Sequence, residues 1–352
     1  MSLYLGVDFH PHQQTVAWCD DQTGETRTFD LAHDLEKVRE FYFSLPEPAI
    51  IGIEASAKAR WFEKMLFESG HKLVVGNPVL IRKRATSRHK NDRRDAELIL
   101  DLLMKDEFPA LWRRPAESEQ VLEILRLRSA LVRQRTQVYN RLQALAHSAG
   151  LPKGSIRTAA FQARVKSADM DEACSLARSQ NFALLRSIHE RISEVEEWLK
   201  KKVSDPQVQL LLSQKGVGYL TSLTVVHTLG DVTRFARVAK QVVGFAGLDS
   251  LEDSSAGKIR FKQISKAGSP LLRFQLGQAV QTATRYDVRL KTFYKRLAKK
   301  KPKAVAKTAT ARKLLVKLAI MLRDNITAEE FDRRGPQVGN ARLSARSEMA
   351  VT

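Results

Sequence analysis

Apolar and polar positions follow several different rhythms along the chain. Near the N-terminus the period is two. Leu3-Tyr4-Leu5-Gly6-Val7-Asp8 is an apolar run that ends in an acid, Gln14 to Cys19 alternates, and Thr26 to Leu31 returns after the turn Asp21-Gln22-Thr23-Gly24. This pattern predicts an antiparallel meander of three strands. Residues 34–44 predict an amphipathic helix with Leu35, Val38 and Phe41 on one face. Ala49-Ile50-Ile51-Gly52-Ile53-Glu54 predicts a buried strand, again ending in an acid. A helix with Trp61, Met65 and Leu66, a strand at Leu73-Val74-Val75, the turn Gly76-Asn77-Pro78 and a helix from Asp92 to about residue 106 follow.

The rhythm then lengthens. After a linker over 107–118, with Pro109, Trp112 and Pro115, residues 118–148 repeat every seven: Ile124, Leu131, Val138 and Leu145. Arg126, Arg128, Arg133, Arg135 and Arg141 flank them. Seven-residue spacing with charged flanks predicts a coiled coil or long helical hairpin. Gly150 to Gly154 breaks it, and 155–180 is weakly patterned. A second long helix is predicted over 181–203, with Leu184, Ile188, Ile192, Val195 and Leu199 on one face. The two helices could pair within one chain or across subunits. Beyond 206 the chain predicts a helical unit. Lys215-Gly216-Val217-Gly218 suits the turn of a helix-hairpin-helix, which offers backbone N–H groups to phosphate, or an ordinary packing turn. After about 334 apolar periodicity ends and a disordered tail is expected.

Charge sharpens the division. The formal net charge is +20. Residues 1–110 carry 15 Lys and Arg against 18 Asp and Glu, a balance of −3, whereas 111–352 carry 44 against 21, a balance of +23. A basic excess of this size points to a polyphosphate partner, DNA or RNA. Lys291, Lys295, Arg296, Lys299, Lys300, Lys301, Lys303, Lys307, Arg312, Lys313 and Lys317 form a run expected to contact nucleic-acid backbone rather than to read bases. No apolar run is long enough for a transmembrane helix. The N-terminus has no signal-peptide layout, and Cys19 and Cys174 lack metal or CxxC spacing. Cytoplasmic placement without membrane contact is expected.

Four acids carry the candidate chemistry. Asp8 and Glu54 end apolar strands. Asp92 and Asp95 are three residues apart at a helix start, so they share a face. In the order β-β-β-α-β-α-β-α, strand ends converge on one sheet edge, which fits an RNase H-like fold. The four carboxylates would there suit Mg²⁺ or Mn²⁺ in phosphodiester chemistry. Alternatively Asp92 is a helix N-cap in a solvated first turn and Glu54 caps the helix after its strand.

The ordered set Gly6-Val7-Asp8, Ile51-Gly52-Ile53-Glu54-Ala55, Gly76-Asn77-Pro78, Lys90-Asn91-Asp92-Arg93-Arg94-Asp95-Ala96, Gly216-Val217-Gly218, Phe245-Ala246-Gly247-Leu248 and Ser265-Lys266-Ala267-Gly268 resembles the DEDD-type insertion-sequence transposases. That family includes the pilin-gene invertases and the bridge-RNA-guided recombinases. The resemblance implies a RuvC-like domain (1–108), a linker with coiled-coil helices (109–205), a helical transposase domain (206–333) and a tail (334–352). It implies a DNA recombinase in which Asp8, Glu54, Asp92 and Asp95 bind the metal. A serine, Ser254 with Ser255 as its rival, becomes covalently linked to DNA. The partners it implies are element ends and target DNA, a noncoding guide RNA and further copies of the chain. Arg128, Arg135, Lys215, Lys258, Lys266, Lys299, Lys300, Lys301 and Lys303 are the nucleic-acid-binding candidates. A junction nuclease using the same acids with water, and a non-catalytic nucleic-acid-binding protein, are the alternatives.

Overall fold

Three N-terminal strands, β1 (Leu3–Phe9), β2 (Gln13–Asp20) and β3 (Thr26–Ala32), form the meander. The tight turn between β1 and β2 closes through His10 N–H to the Gln13 carbonyl at 3.0 Å. Gly24, at φ +69°, supplies the left-handed residue in the next turn. β4 (Ile50–Glu54) and β5 (Lys72–Gly76) complete a sheet of order β3-β2-β1-β4-β5. The first three strands pair antiparallel, and β1, β4 and β5 pair in parallel. Parallel neighbours need crossovers, which α1 (Leu35–Phe43) and α2 (Arg60–Glu68) provide. α3 (Pro78–Arg84) and α4 (Asp92–Met104) follow β5. This computed structural model describes residues 3–45, 49–56, 59–85, 91–252 and 261–334. It divides into two units between Arg113 and Arg114.

Strand alternation decides what each face of the sheet holds. Leu3, Leu5, Val7 and Phe9 of β1, with Ile51 and Ile53 of β4, enter a core with Val38, Tyr42, Phe62 and Leu66. Tyr4 and Ile50, on the alternate positions, pack with Ala96, Ile99, Leu100 and Leu103 of α4. Full burial of each such aliphatic side chain contributes about 1.5–3 kcal/mol. Helix α1 corrects the expected face: Leu35 is 62% exposed and Phe41 half-buried, while Val38 and Tyr42 are buried. Asp34 caps this helix by accepting from Glu36 and Lys37 N–H, and the i, i+4 pair behind the cap turns inward. The segment after α4 is stitched to the sheet edge, with Leu111 N–H to the Val75 carbonyl at 2.7 Å and Asn77 N–H to that of Pro109 at 2.9 Å.

In the second unit, α5 (Ala116–Ser148) and α7 (Glu172–Lys201) run antiparallel, with α6 (Ala159–Ser167) between them in sequence. The direction follows from the pairs Glu117–Lys202, Arg128–Glu196 and Tyr139–His189. Within this chain the two helices thus pack along each other. Leu131 and Val138 of the seven-residue repeat are buried, and Ile124 and Leu145 half-buried. On α7 the buried stripe is Leu185, Ile188, Ile192 and Leu199, whereas Leu184 is 44% exposed. The stripe starts one residue later than its spacing predicts, and the helix starts nine residues earlier, at the Asp171 cap.

The remaining elements are α8 (Pro206–Leu212), α9 (Tyr219–Leu229), α10 (Val238–Phe245), the hairpin β6 (Ser250–Glu252) and β7 (Phe261–Ile264), α11 (Pro270–Tyr286), α12 (Val288–Ala298), α13 (Lys303–Asp324) and α14 (Ala328–Arg334). Their core includes Leu211, Leu223, Val242, Leu276, Leu314 and Leu318. Among the described residues no helix is long and apolar enough to cross a membrane.

Candidate active site

The first unit gathers its acids where β1 and β4 end and α4 begins. Gly6 and Gly52 pair across β1 and β4 and face α4, so the helix lies close against the sheet. Two residues beyond each glycine, on the same face, stand Asp8 and Glu54. The α4 helix carries Asp92 and Asp95 in its first turn. Its N-cap is Asn91, whose side chain accepts from Arg93 N–H at 3.1 Å. Asp92 is therefore not the cap, and its carboxylate is released from that duty.

Asp8, Glu54 and Asp95 line one small cavity of about 50 Å³ with Ile81, Arg82, Ala85, Leu98 and Ile99. Asp92 joins through His10, whose Nε2 lies 3.1 Å from Asp8 Oδ2 and 3.5 Å from Asp92 Oδ1. Arg82 Nη2 stands 3.8 Å from Glu54 Oε1. Burial raises the Asp8 carboxyl above the ordinary carboxylate range; His10 opposes this, and Asp95 and Asp92 push it further up. Like charges this close favour a cation between them.

One ligand atom each from Asp8, His10 and Asp92 lie within 4.8 Å of one another. Oxygen donors in this number, with one imidazole, fit a divalent ion. The sequence pattern of four acids omits His10 and Arg82. The signal for His10 was available, since position i+2 after Asp8 returns to the same strand face. Arg82 gave none, because its approach depends on how α3 packs.

The second unit builds a frame around the hairpin. Ser254, Ser255 and Lys258 lie outside the described residues, as does the tail beyond Arg334. β6 and β7 flank that segment, pairing Ser250 with Ile264 and Glu252 with Phe261. At the hairpin base Ser265 donates both its N–H, at 2.9 Å, and its hydroxyl to Asp249. Two motifs far apart in sequence cross here. Gly247, at φ +66°, abuts the backbone of Ala267 and Gly268, and Gly268 abuts Phe245 and Ala246. Arg273 Nη1 donates to the Gly268 carbonyl at 2.6 Å and to that of Ala246 at 3.1 Å, tying the two segments together.

The candidate binding residues differ in setting. Lys299, Lys300, Lys301 and Lys303 are exposed together at the turn between α12 and α13, and Lys215 and Lys266 are exposed singly. Arg135 is half-buried on α5. Arg128 Nε donates to Glu196 at 2.7 Å and so clasps α5 to α7. Lys317 departs from the expected surface run: it is buried, with Nζ 3.2 Å from Asp287 and 2.9 Å from Asp332. In the turn before α9, Gly216 takes φ +90° and abuts the Ala283 backbone, a packing demand of its own.

Comparison with known proteins matches both units. A transposase family model of the DEDD IS110 type matches residues 5–149, and that of the transposase IS116/IS110/IS902 family matches 208–295. A "Probable family 20 transposase" of Pseudomonas aeruginosa is 28% identical over 256 residues, 71% of this chain and 75% of that protein. The "Transposase for insertion sequence element IS1328" of Yersinia enterocolitica is 27% identical over 309 residues, 84% of this chain and 86% of that one. The transposase for element IS1111A of Coxiella burnetii is 31% identical over 207 residues, 56% of each. The first family match begins at β1 and includes all four acids, the second ends in α12, and the chain belongs to the DEDD-type insertion-sequence transposase family.

Proposed function

We propose that this chain is the DNA recombinase that moves an insertion sequence, through a divalent metal site at Asp8, Glu54, Asp92 and Asp95 and a serine nucleophile at Ser254. The observation that supports this reading best is the meeting of acids from β1, β4 and α4 behind the paired Gly6 and Gly52. The sheet order and crossovers suit an RNase H-like, RuvC-type domain over 1–108. The antiparallel α5 and α7 serve as the coiled-coil connection over 109–205, and 206–333 form the transposase domain.

When bound, a divalent ion such as Mg²⁺ or Mn²⁺ polarises the phosphate and offsets charge developing on it. The four acids would hold that ion, and Asp8, more buried than Asp92, anchors the site. Ser254 Oγ attacks the phosphorus and loses its proton. An Oγ–P bond forms as a P–O bond of the DNA breaks, and the departing sugar oxygen leaves as a hydroxyl after taking a proton. A strand hydroxyl later attacks the same phosphorus and returns the serine, so rejoining needs no external energy source. The exposed lysines between α12 and α13 hold DNA, or a noncoding guide RNA, by its backbone. The reading includes assembly as a homo-oligomer.

The test is a covalent-trapping assay with element-end DNA and Mg²⁺. Wild type forms a protein–DNA adduct; Ser254→Ala and Asp92→Asn do not, and both still bind DNA. Cleavage without adduct by Ser254→Ala, Ser255→Ala and the double variant would replace the serine mechanism with water-based hydrolysis. An adduct lost only in Ser255→Ala moves the nucleophile by one residue.

A further inference from the structure

The acids of the first unit do not meet alone. His10 comes two residues after Asp8, just past the end of β1, and its imidazole stands between two of them. Nε2 is 3.1 Å from Asp8 Oδ2 and 3.5 Å from Asp92 Oδ1. Neighbouring donors on an ion with bonds near 2.1 Å lie about 3 Å apart; the Asp8 contact has that spacing, the Asp92 contact is slightly longer, and all three ligand atoms lie within 4.8 Å of one another. The His10 side chain is 31% exposed and that of Asp8 13%, so the position is reachable from solvent yet partly walled. Which ring nitrogen carries the proton is set by the tautomer, and the Nδ1–H tautomer leaves the Nε2 lone pair free to bind.

We propose that His10 is a direct ligand, through Nε2, of a divalent ion shared with Asp8 and Asp92, and that this makes the site favour Mn²⁺ over Mg²⁺. The inference rests on the metal site of the proposed function and adds to it a nitrogen donor. The chemical reason is the donor set. Mg²⁺ takes oxygen ligands and gives up water reluctantly, whereas imidazole suits transition ions, whose affinities for nitrogen donors rise from Mn²⁺ upward. The rival arrangement keeps His10 outside the ligand shell, orienting Asp8 by the hydrogen bond seen here. The two arrangements differ in whether nitrogen touches the ion.

The experiment uses the full-length chain, stripped of metal and reloaded with Mn²⁺. Pulsed electron paramagnetic resonance reads nitrogen coupling to the ion, and calorimetry reads Mn²⁺ and Mg²⁺ affinity. Wild type should show ¹⁴N modulation, absent in His10→Ala and in the bulkier His10→Gln, and retained in His12→Ala. Loss of the ligand should lower Mn²⁺ affinity about 10-fold or more and Mg²⁺ affinity by less, so the Mn²⁺/Mg²⁺ preference falls. Circular dichroism checks that each variant folds, and His10→Gln preserves side-chain bulk if His10→Ala does not. Mn²⁺ bound by wild type without nitrogen coupling, yet lost in Asp92→Asn, overturns ligation by His10 and leaves the metal site standing. Absence of any Mn²⁺ binding sensitive to Asp92→Asn overturns the metal site, and this inference with it.

Discussion

Gly6 and Gly52 lie opposite each other in the β1–β4 pairing, and each meets α4 differently. A Cβ on Gly6 would fall 2.2 Å from the Ala96 carbonyl oxygen and 2.4 Å from Leu100 N, both backbone atoms of the helix. On Gly52 it would meet the end of the Leu103 side chain at 2.5 Å. Backbone cannot yield as a side chain can. Gly6→Ala is therefore expected to cost about 1–3 kcal/mol and to weaken metal binding by displacing α4, while Gly52→Ala costs less. Denaturant unfolding and metal titration of both variants check this. Equal or reversed costs would show that the helix backbone is not what Gly6 accommodates.

A second prediction concerns the frame beneath the hairpin. A Cβ on Gly268 would come within 2.0 Å of the Phe245 carbonyl oxygen. Gly268→Ala should push the two crossing segments apart and abolish strand exchange while DNA binding persists. Filter binding beside the adduct assay separates these outcomes; full exchange activity would mean that the crossing does not position the hairpin.

The third concerns the buried Lys317. Burial alone would raise the Asp287 carboxyl, but the Leu290 N–H, Lys317 and Gln214 outweigh it and hold it below the ordinary range. A carboxyl held down in the fold contributes stability above its unfolded pKa, near 3.9, and loses that contribution as pH falls through its lower folded value. Asp287→Ala, which removes both the α12 cap and one partner of Lys317, should cost about 2–3 kcal/mol at neutral pH. Its stability should then fall less steeply than wild type below about pH 4. Melting temperature against pH tests both parts, and parallel curves would refute the second.

The fourth concerns affinity. Neutralising Lys299, Lys300, Lys301 and Lys303 together should weaken nucleic-acid binding for every sequence. Loss of up to four phosphate contacts lowers the log–log salt slope by roughly 3–4 units. A salt titration with an unchanged slope would show that these exposed lysines do not touch the backbone.

Much of the first unit was legible because its signals are local. Strand alternation separated Leu5 and Val7 from Gly6 and Asp8, and the spacing of Asp92 and Asp95 put both in one helical turn. What escaped depends on distant partners. Leu35 and Leu184 fit their helical stripes by spacing, yet turn outward because packing chose Tyr42 and Leu185. Lys317 reads as one more cation in a basic run until Asp287, thirty residues away in sequence, draws it inward. Gly247 and Gly268 stood only in two separate motifs; their contact joins segments that no short pattern connects.

The cap of α4 has a consequence of its own. Asn91 secures the helix start, so removing the Asp92 carboxylate does not cost the helix its cap. On the proposed function, one acid-to-amide change then yields an intact chain that still occupies element DNA and completes no reaction. Such a copy competes with its active siblings, so a decayed gene acts as a brake on the element that spawned it. Co-expressing Asp92→Asn with wild type should lower transposition frequency, and an undiminished frequency would deny the fold that self-restraint.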